Sequence, residues 1–232
     1  MATPEIILYT NHACPWAHRA HIALAELGLL FKEEIIDLSV PRTPEYLKVN
    51  PRGLVPSLSY NGQILTESGI VSQFLADAHP SHLSPNSGTA EDALKRARIA
   101  FFVDAFTSKV QSIAYKIFSV KADEEVAALG TAQVEAIVKE LEPLLVDAGP
   151  FFGGSEKLTL AEVLTGSFVL RLYSAANFGV TPKSIVTDLE TQAPNFSRWA
   201  EAVRAHPSVN GIYDEAKWVE TYKARIAKAR AA

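Results

Sequence analysis

Apolar and polar positions follow two rhythms along the chain, and the change from one to the other divides it. Ile6-Ile7-Leu8-Tyr9 is an unbroken apolar stretch suited to a strand covered on both faces. Trp16, Ala20, Ala23, Leu24 and Leu27 then recur at helical spacing, with Pro15 at the first helical position and Gly28 as a stop signal. Residues 31–37 read as a second strand, and the short crossover makes it a parallel neighbour of the first. Residues 38–52 contain Pro41, Pro44 and Pro51 and are read as irregular, with at most a short helix over 45–49. Two short strand patterns, 56–60 and 63–65, flank Asn61-Gly62, the preferred pair for a two-residue hairpin turn. Glu67-Ser68 then opens a helix whose Ile70, Val71, Phe74 and Leu75 share one face.

Residues 80–90 are polar and contain Pro80, Pro85 and Gly88, which reads as a linker. Beyond it only the helical period is found. Leu94, Ala97, Phe101, Phe102, Phe106, Val110, Ile113 and Ile117 mark one long helix or two in tandem. Further helices are expected over 124–146, 159–177, 194–205 and 214–227, and nothing after the linker reads as strand. The expectation is an α/β unit over residues 1–79, a linker over 80–90 and an all-helical unit over 91–232.

Composition narrows the classes of function. A 48% hydrophobic and 21% charged chain is ordinary for a globular protein. A formal charge of −4 without a long basic run speaks against a nucleic-acid partner, and the basic residues from Lys223 to Arg230 read as a solvated helix face. No charged-then-apolar leader opens the chain, and no apolar run approaches the about 18 residues of a membrane span. One cysteine excludes an internal disulfide and points to a reducing compartment, so a cytoplasmic location is expected.

That cysteine, Cys14, stands between the first strand and the Pro15 helix. There it faces the free N–H groups and positive end of the helix dipole, which stabilise a thiolate. The bland alternative is a small buried hydrophobe. Without a Cys-x-x-Cys pair, redox chemistry here must borrow its second sulfur from a small thiol. His12, His18 and His21 surround Cys14 in sequence, and a Cys–His pair would activate a thiol. But His18 and His21 lie four and seven residues on, at least a helical turn away, so all three are read as structural or solvent-facing. A metal site built on them would need further ligands, and no metal is expected.

The segment Cys14-Pro15-Trp16-Ala17-His18-Arg19 resembles the active-site segment of omega-class and related glutathione transferases, which use cysteine where other classes use tyrosine or serine. The order strand–helix–strand, irregular segment, hairpin, helix is similar to their thioredoxin-like fold, followed by an all-α domain. In that fold, the resemblance implies, the Val55-Pro56 bond is cis and the Val55 backbone meets the cysteinyl part of glutathione. Glu67-Ser68 resembles the family's acid–serine pair. A carboxylate suits the γ-glutamyl ammonium, and a hydroxyl at a helix N-terminus suits the neighbouring carboxylate; both residues could equally serve the helix start alone. Arg42 stands where an omega-class lysine would hold the glycine carboxylate, with Lys48 and Arg52 as alternatives. Phe151-Phe152-Gly153-Gly154 with Thr159 and Glu162 is similar to the family's turn and capping box, with Glu162 where Asp is usual. Trp16 replaces the phenylalanine common in omega enzymes, and Asn50-Pro51-Arg52-Gly53 also resembles ether-cleaving members.

The resemblance implies a glutathione-dependent thiol transferase or reductase using Cys14, with glutathione as co-substrate and a small apolar or disulfide second substrate. The alternatives are conjugation of glutathione to small electrophiles, or a non-catalytic ligand-binding member. Phe102, Phe106, Tyr115 and Phe118 are read as either core or pocket wall. A homodimer is implied, and the helix from about residue 91, apolar on more than one face, agrees with it.

Overall fold

In a computed structural model, which describes residues 3–86, 88–117 and 119–231, the first apolar run becomes β1 (Ile6–Thr10), the strand next to the edge of a four-stranded sheet. Its neighbours are β2 (Lys32–Ile35) and β3 (Ser57–Tyr60), and β4 (Gln63–Thr66) closes the order β2-β1-β3-β4. β1 runs parallel to β2, opposing Leu8 to Glu33, and antiparallel to β3, opposing Leu8 to Leu58. One face of β1, Ile6, Leu8 and Thr10, is buried, while Ile7 and Tyr9 on the other are only half-buried, so the strand is not fully covered on both faces as its apolar run predicts. β2 is an edge, and its Lys32, Glu33 and Glu34 keep that edge charged. The Asn61-Gly62 turn has positive φ at both residues, 49° and 80°, as its sequence predicts.

α1 (Pro15–Glu26), α2 (Pro44–Val49) and α3 (Ser68–Ala78) complete a thioredoxin-like unit. The segment after it is no loose tether. Leu83 is fully buried, and its carbonyl accepts from the Leu160 N–H at 2.8 Å. Then follow α4 (Ala90–Ala105), a π-helical stretch (Phe106–Gln111) and α5 (Ser112–Lys116), one continuous helical run with a wide turn in its middle. Next come α6 (Asp123–Glu140), α7 (Leu160–Asn177), α8 (Ser184–Gln192), α9 (Pro194–Ala205), α10 (Pro207–Asn210) and α11 (Glu215–Ala231).

Two expectations are corrected. The helix expected over 124–146 ends at Glu140, because Pro143 cannot donate to the ladder and leaves only a 3₁₀ turn over Glu142–Leu145. α8 went unread, since only Ile185 and Leu189 anchor it among Ser and Thr residues.

α7 is buried along almost its whole length, as befits a helix apolar on all sides. It packs against α1, α3, α4 and α9, so one apolar core runs from Leu8 and Leu58 of the sheet to Trp199 of α9. Phe102 belongs to that core, 4.9 Å from the Phe152 ring and 5.4 Å from Trp199; Phe106 is equally buried against Phe168. Neither is a pocket wall. Tyr115 is half-exposed and stacks on Trp16 at 6.4 Å, while Phe118 lies outside the described residues.

The start of α7 is fixed by Glu162, a fully buried carboxylate. One oxygen accepts from the Thr159 N–H and hydroxyl, both at 2.8 Å; the other accepts from the Phe152 N–H at 2.9 Å and the Trp199 indole N–H at 2.7 Å. The expected capping box is therefore present, and it also ties α7 to α9 and the Phe151-Phe152 turn.

Candidate active site

Cys14 is the N-cap of α1, with Pro15 at the first helical position. Its backbone is extended, φ −82° and ψ 117°, and its side chain makes no capping bond, so the thiol stands free at the helix mouth. The turn before it is held by the Asn11 side chain, whose oxygen accepts from the Ala13 N–H at 3.0 Å and whose amide donates to the Ile36 carbonyl at 2.9 Å. The Cys14 N–H closes the turn on the Asn11 carbonyl at 3.0 Å.

The thiol opens on a cleft of about 370 Å³ lined by Trp16, Leu38, Asn50 and Gly53 among others. Arg42, Val55, Pro56, Glu67 and Ser68 line it too, so the fold brings these five to one place with Cys14, whereas the alternative cations Lys48 and Arg52 are not among its lining residues. The Val55-Pro56 peptide is cis. Among the described residues no group takes the Val55 N–H or carbonyl, whereas the neighbouring Leu54 carbonyl accepts from Tyr46 and Asn50. Val55, which lines the cleft, thus keeps its backbone donor and acceptor unpaired among the described residues.

Glu67 caps α3 with φ 69° and ψ 114°, a left-handed conformation that a non-glycine residue adopts at a cost of about 1–3 kcal/mol. The conformation keeps its carboxylate at the cleft, where it pairs with Arg52. Ser68, in the first turn of α3, is buried and accepts from Arg19 at 3.3 Å. Arg19 lies over the Trp16 and Phe168 rings at 4.4 and 4.9 Å, with Nε and Nη2 unpaired. Burial pulls its ionisation down to about 10, which leaves it charged at neutral pH.

Arg42 is more committed than expected. Its Nε donates to the Gly53 carbonyl at 3.0 Å, and its Nη1 to the Asp37 and Val40 carbonyls at 2.7 and 2.6 Å. It fastens the proline-rich segment to the turn before Val55, and Nη2 makes no hydrogen bond among the described residues.

The sequence reading missed the support from α7. Ser167 donates to the Pro15 carbonyl at 2.8 Å, and Arg171 donates to the Ala13 carbonyl at 3.3 Å, so α7 grips the chain on both sides of Cys14. Burial lowers Arg171 to about 10, and the Tyr213 ring covers its guanidinium at 4.8 Å. The one available signal was an arginine inside an otherwise apolar helix.

The three histidines separate. His18 is fully buried beside Arg171, and desolvation holds its imidazole well below the usual range. His21 is buried with Nε2 2.8 Å from the Thr10 hydroxyl, and desolvation, against the upward pull of Glu33, brings it to about 4. His12 lies at the surface with Nε2 3.1 Å from both carboxylate oxygens of Glu33. Counting ligands by spacing omitted that carboxylate, which β2 carries to both His12 and His21.

Residues 13–78 match the family model described as "Glutathione S-transferase, N-terminal domain". Over 224 residues the chain is 31% identical to a probable glutathione S-transferase, GSTU1, of Oryza sativa subsp. japonica, covering 90% of this chain and 93% of that one. Glutathione transferase Omega 2C from Trametes versicolor superposes with a TM-score of 0.82 at 29% identity, over 96% of this chain and 99% of the other. A rice GST1 solved in complex with glutathione gives a TM-score of 0.82 at 26% identity, over 98% and 99% of the two chains.

Proposed function

The chain belongs to the glutathione S-transferase family and is a glutathione transferase, and from that premise we propose that it acts as an omega-like, glutathione-dependent thiol transferase or reductase with Cys14 as nucleophile. The observation that carries this reading is the placement of the only thiol, uncapped at the start of α1 and facing the same cleft as Val55, Glu67 and Ser68. The cleft suits the tripeptide part by part. The free N–H and carbonyl of Val55 match the cysteinyl backbone. Ser68, the start of α3 and the buried charge of Arg19 match the γ-glutamyl carboxylate, with Glu67 for the ammonium beside it. Nη2 of Arg42 is the cation for the glycine carboxylate.

In the reaction, the Cys14 thiolate attacks the glutathione sulfur of a mixed disulfide. A Cys14–glutathione bond forms, and the substrate sulfur leaves as a thiolate that takes a proton from water. The thiolate of a second glutathione attacks that same sulfur, giving glutathione disulfide and restoring the Cys14 thiolate. One disulfide is reduced and one is formed: a single free glutathione thiol is oxidised, the other half of the glutathione disulfide comes from the substrate, and the single protein sulfur suffices. Residues 1–79 bind glutathione in this reading, and residues 91–232 supply the face for a small second substrate at the Trp16–Tyr115 stack. A free thiol in this role suits the cytoplasm.

Incubation with glutathione disulfide tests the proposal. Intact mass should rise by one glutathione, mapped to Cys14 and removed by reduced glutathione. No adduct would leave Cys14 outside covalent chemistry and favour conjugation.

The proposal includes a homodimer. Leu94 and Phe101, seven residues apart on α4, remain 62% and 60% exposed, and Ile70 of α3 is 59% exposed. Next to them a groove of about 340 Å³ is lined by Ile99, Val103 and Leu164. Sedimentation at micromolar concentration should give a two-chain mass, and Phe101→Glu should shift it to one chain by burying a charge at the seam. A wild-type mass of one chain would refute the dimer.

A further inference from the structure

We infer that His12, His21 and Glu33 form a site for a divalent transition-metal ion with the ligand preference of zinc, its fourth position open to water. The site is separate from the glutathione cleft and does not depend on the reaction proposed above.

Three donor atoms from three elements converge there: His12 precedes the Cys14 turn, His21 lies on α1 and Glu33 on β2. His12 Nε2 is 3.1 Å from Glu33, His21 Nδ1 is 3.3 Å from it, and all the ligand atoms lie within 4.8 Å of one another. Tetrahedral zinc, with donors at about 2.0–2.2 Å, requires donor–donor spacings of about 3.3 Å. Two of the three edges already have that length. The third closes by movement of the His12 side chain, which is 45% exposed.

The surroundings prepare His21 as a ligand. Its Nε2 lies 2.8 Å from the buried Thr10 hydroxyl, and the Phe31 and His12 rings meet it edge-on at 5.8 and 5.2 Å. With Nε2–H donating to Thr10, the Nδ1 lone pair points into the cluster, the outer-shell arrangement that fixes a metal-binding tautomer. In the absence of an ion, Nδ1–H can donate to Glu33 while Thr10 donates to Nε2. Binding therefore exchanges one tautomer of His21 for the other.

A second carboxylate between two histidines shows the difference. Glu26 lies 2.8 Å from His82 and 3.6 Å from His206, but the imidazoles take opposite oxygens and the Ser208 hydroxyl occupies one of these as well. The Glu26 carboxylate is only 9% exposed, whereas His12 and Glu33, at 45% and 32%, form an open face.

Calorimetric titration of the full chain with zinc chloride alone tests the site, using Cys14→Ser to remove the competing thiol. One zinc per chain should bind both wild type and Cys14→Ser. His12→Asn and Glu33→Gln should each weaken binding roughly tenfold or more, and His82→Asn should leave it unchanged. Cobalt(II) should give visible ligand-field bands that both site variants lose, with circular dichroism showing the variants folded. Absence of zinc uptake by Cys14→Ser, or uptake that either His12→Asn or Glu33→Gln leaves intact, would overturn the three-ligand site.

Discussion

Cys14→Ser is expected to lower disulfide-reductase turnover by at least about a thousandfold, the scale on which deletion of a covalent nucleophile acts. Serine keeps the size and the place at the α1 N-cap, but a hydroxyl there does not accept glutathione from a disulfide. The conjugating reaction should respond differently. There the attacking sulfur belongs to glutathione, and a hydroxyl can still donate a hydrogen bond to it, so conjugation should persist or rise. Steady-state assays with a mixed disulfide and with an electrophile, run in parallel, separate the two. Undiminished reductase activity in Cys14→Ser would remove the thiol from the mechanism. Loss of both activities together would mean that the substitution harms the cleft instead of the chemistry.

The largest effect on stability is expected at Glu162→Ala. Four donors converge on this buried carboxylate: the Thr159 N–H and hydroxyl, the Phe152 N–H and the Trp199 indole. Truncation leaves them facing apolar surroundings, with a cavity where the side chain lay. The expected loss is about 3–5 kcal/mol, the range for breaking a buried charged network. For a chain of this size that corresponds to a melting temperature lower by roughly 6–20 °C. Glu162→Gln should lose less, because one amide oxygen still accepts while the amide nitrogen opposes donors. Thermal or urea unfolding followed by circular dichroism measures both. Wild-type stability in Glu162→Ala would mean that neighbouring groups or water replace the carboxylate at no cost.

The parts of the fold that were legible in the sequence are those whose cause is local. Asn61-Gly62 forces its own turn, Pro15 places Cys14 at a helix mouth, and Thr159 with Glu162 marks a helix start. Arg42, Val55, Pro56, Glu67 and Ser68 were legible through the resemblance to glutathione transferases and not from local cause, and the fold brings them to one cleft with Cys14. What was not legible acts through space. Nothing in the spacing of His12 and His21 announces Glu33, because its arrival depends on the register that opposes it to Leu8. Ser167 and Arg171 reach the Cys14 turn from more than 150 residues away. α8 was hidden because Ile185 and Leu189 are too few to set a period. Pro143 was a legible stop, outweighed by the apolar stripe around it.

The grip of α7 on the Cys14 turn also bears on how such a protein is inherited. Ser167 and Arg171 hold the carbonyls of Pro15 and Ala13, one residue to either side of the thiol. The reactive segment is thus encoded in two distant places, and neither place is complete without the other. Recombination that joins the first half of this chain to the second half of a relative would keep the cysteine but change the residues that seat it. A viable exchange must carry the pair of α7 side chains along with the turn, or supply two others of matching reach. Such linkage favours descent of the two halves together.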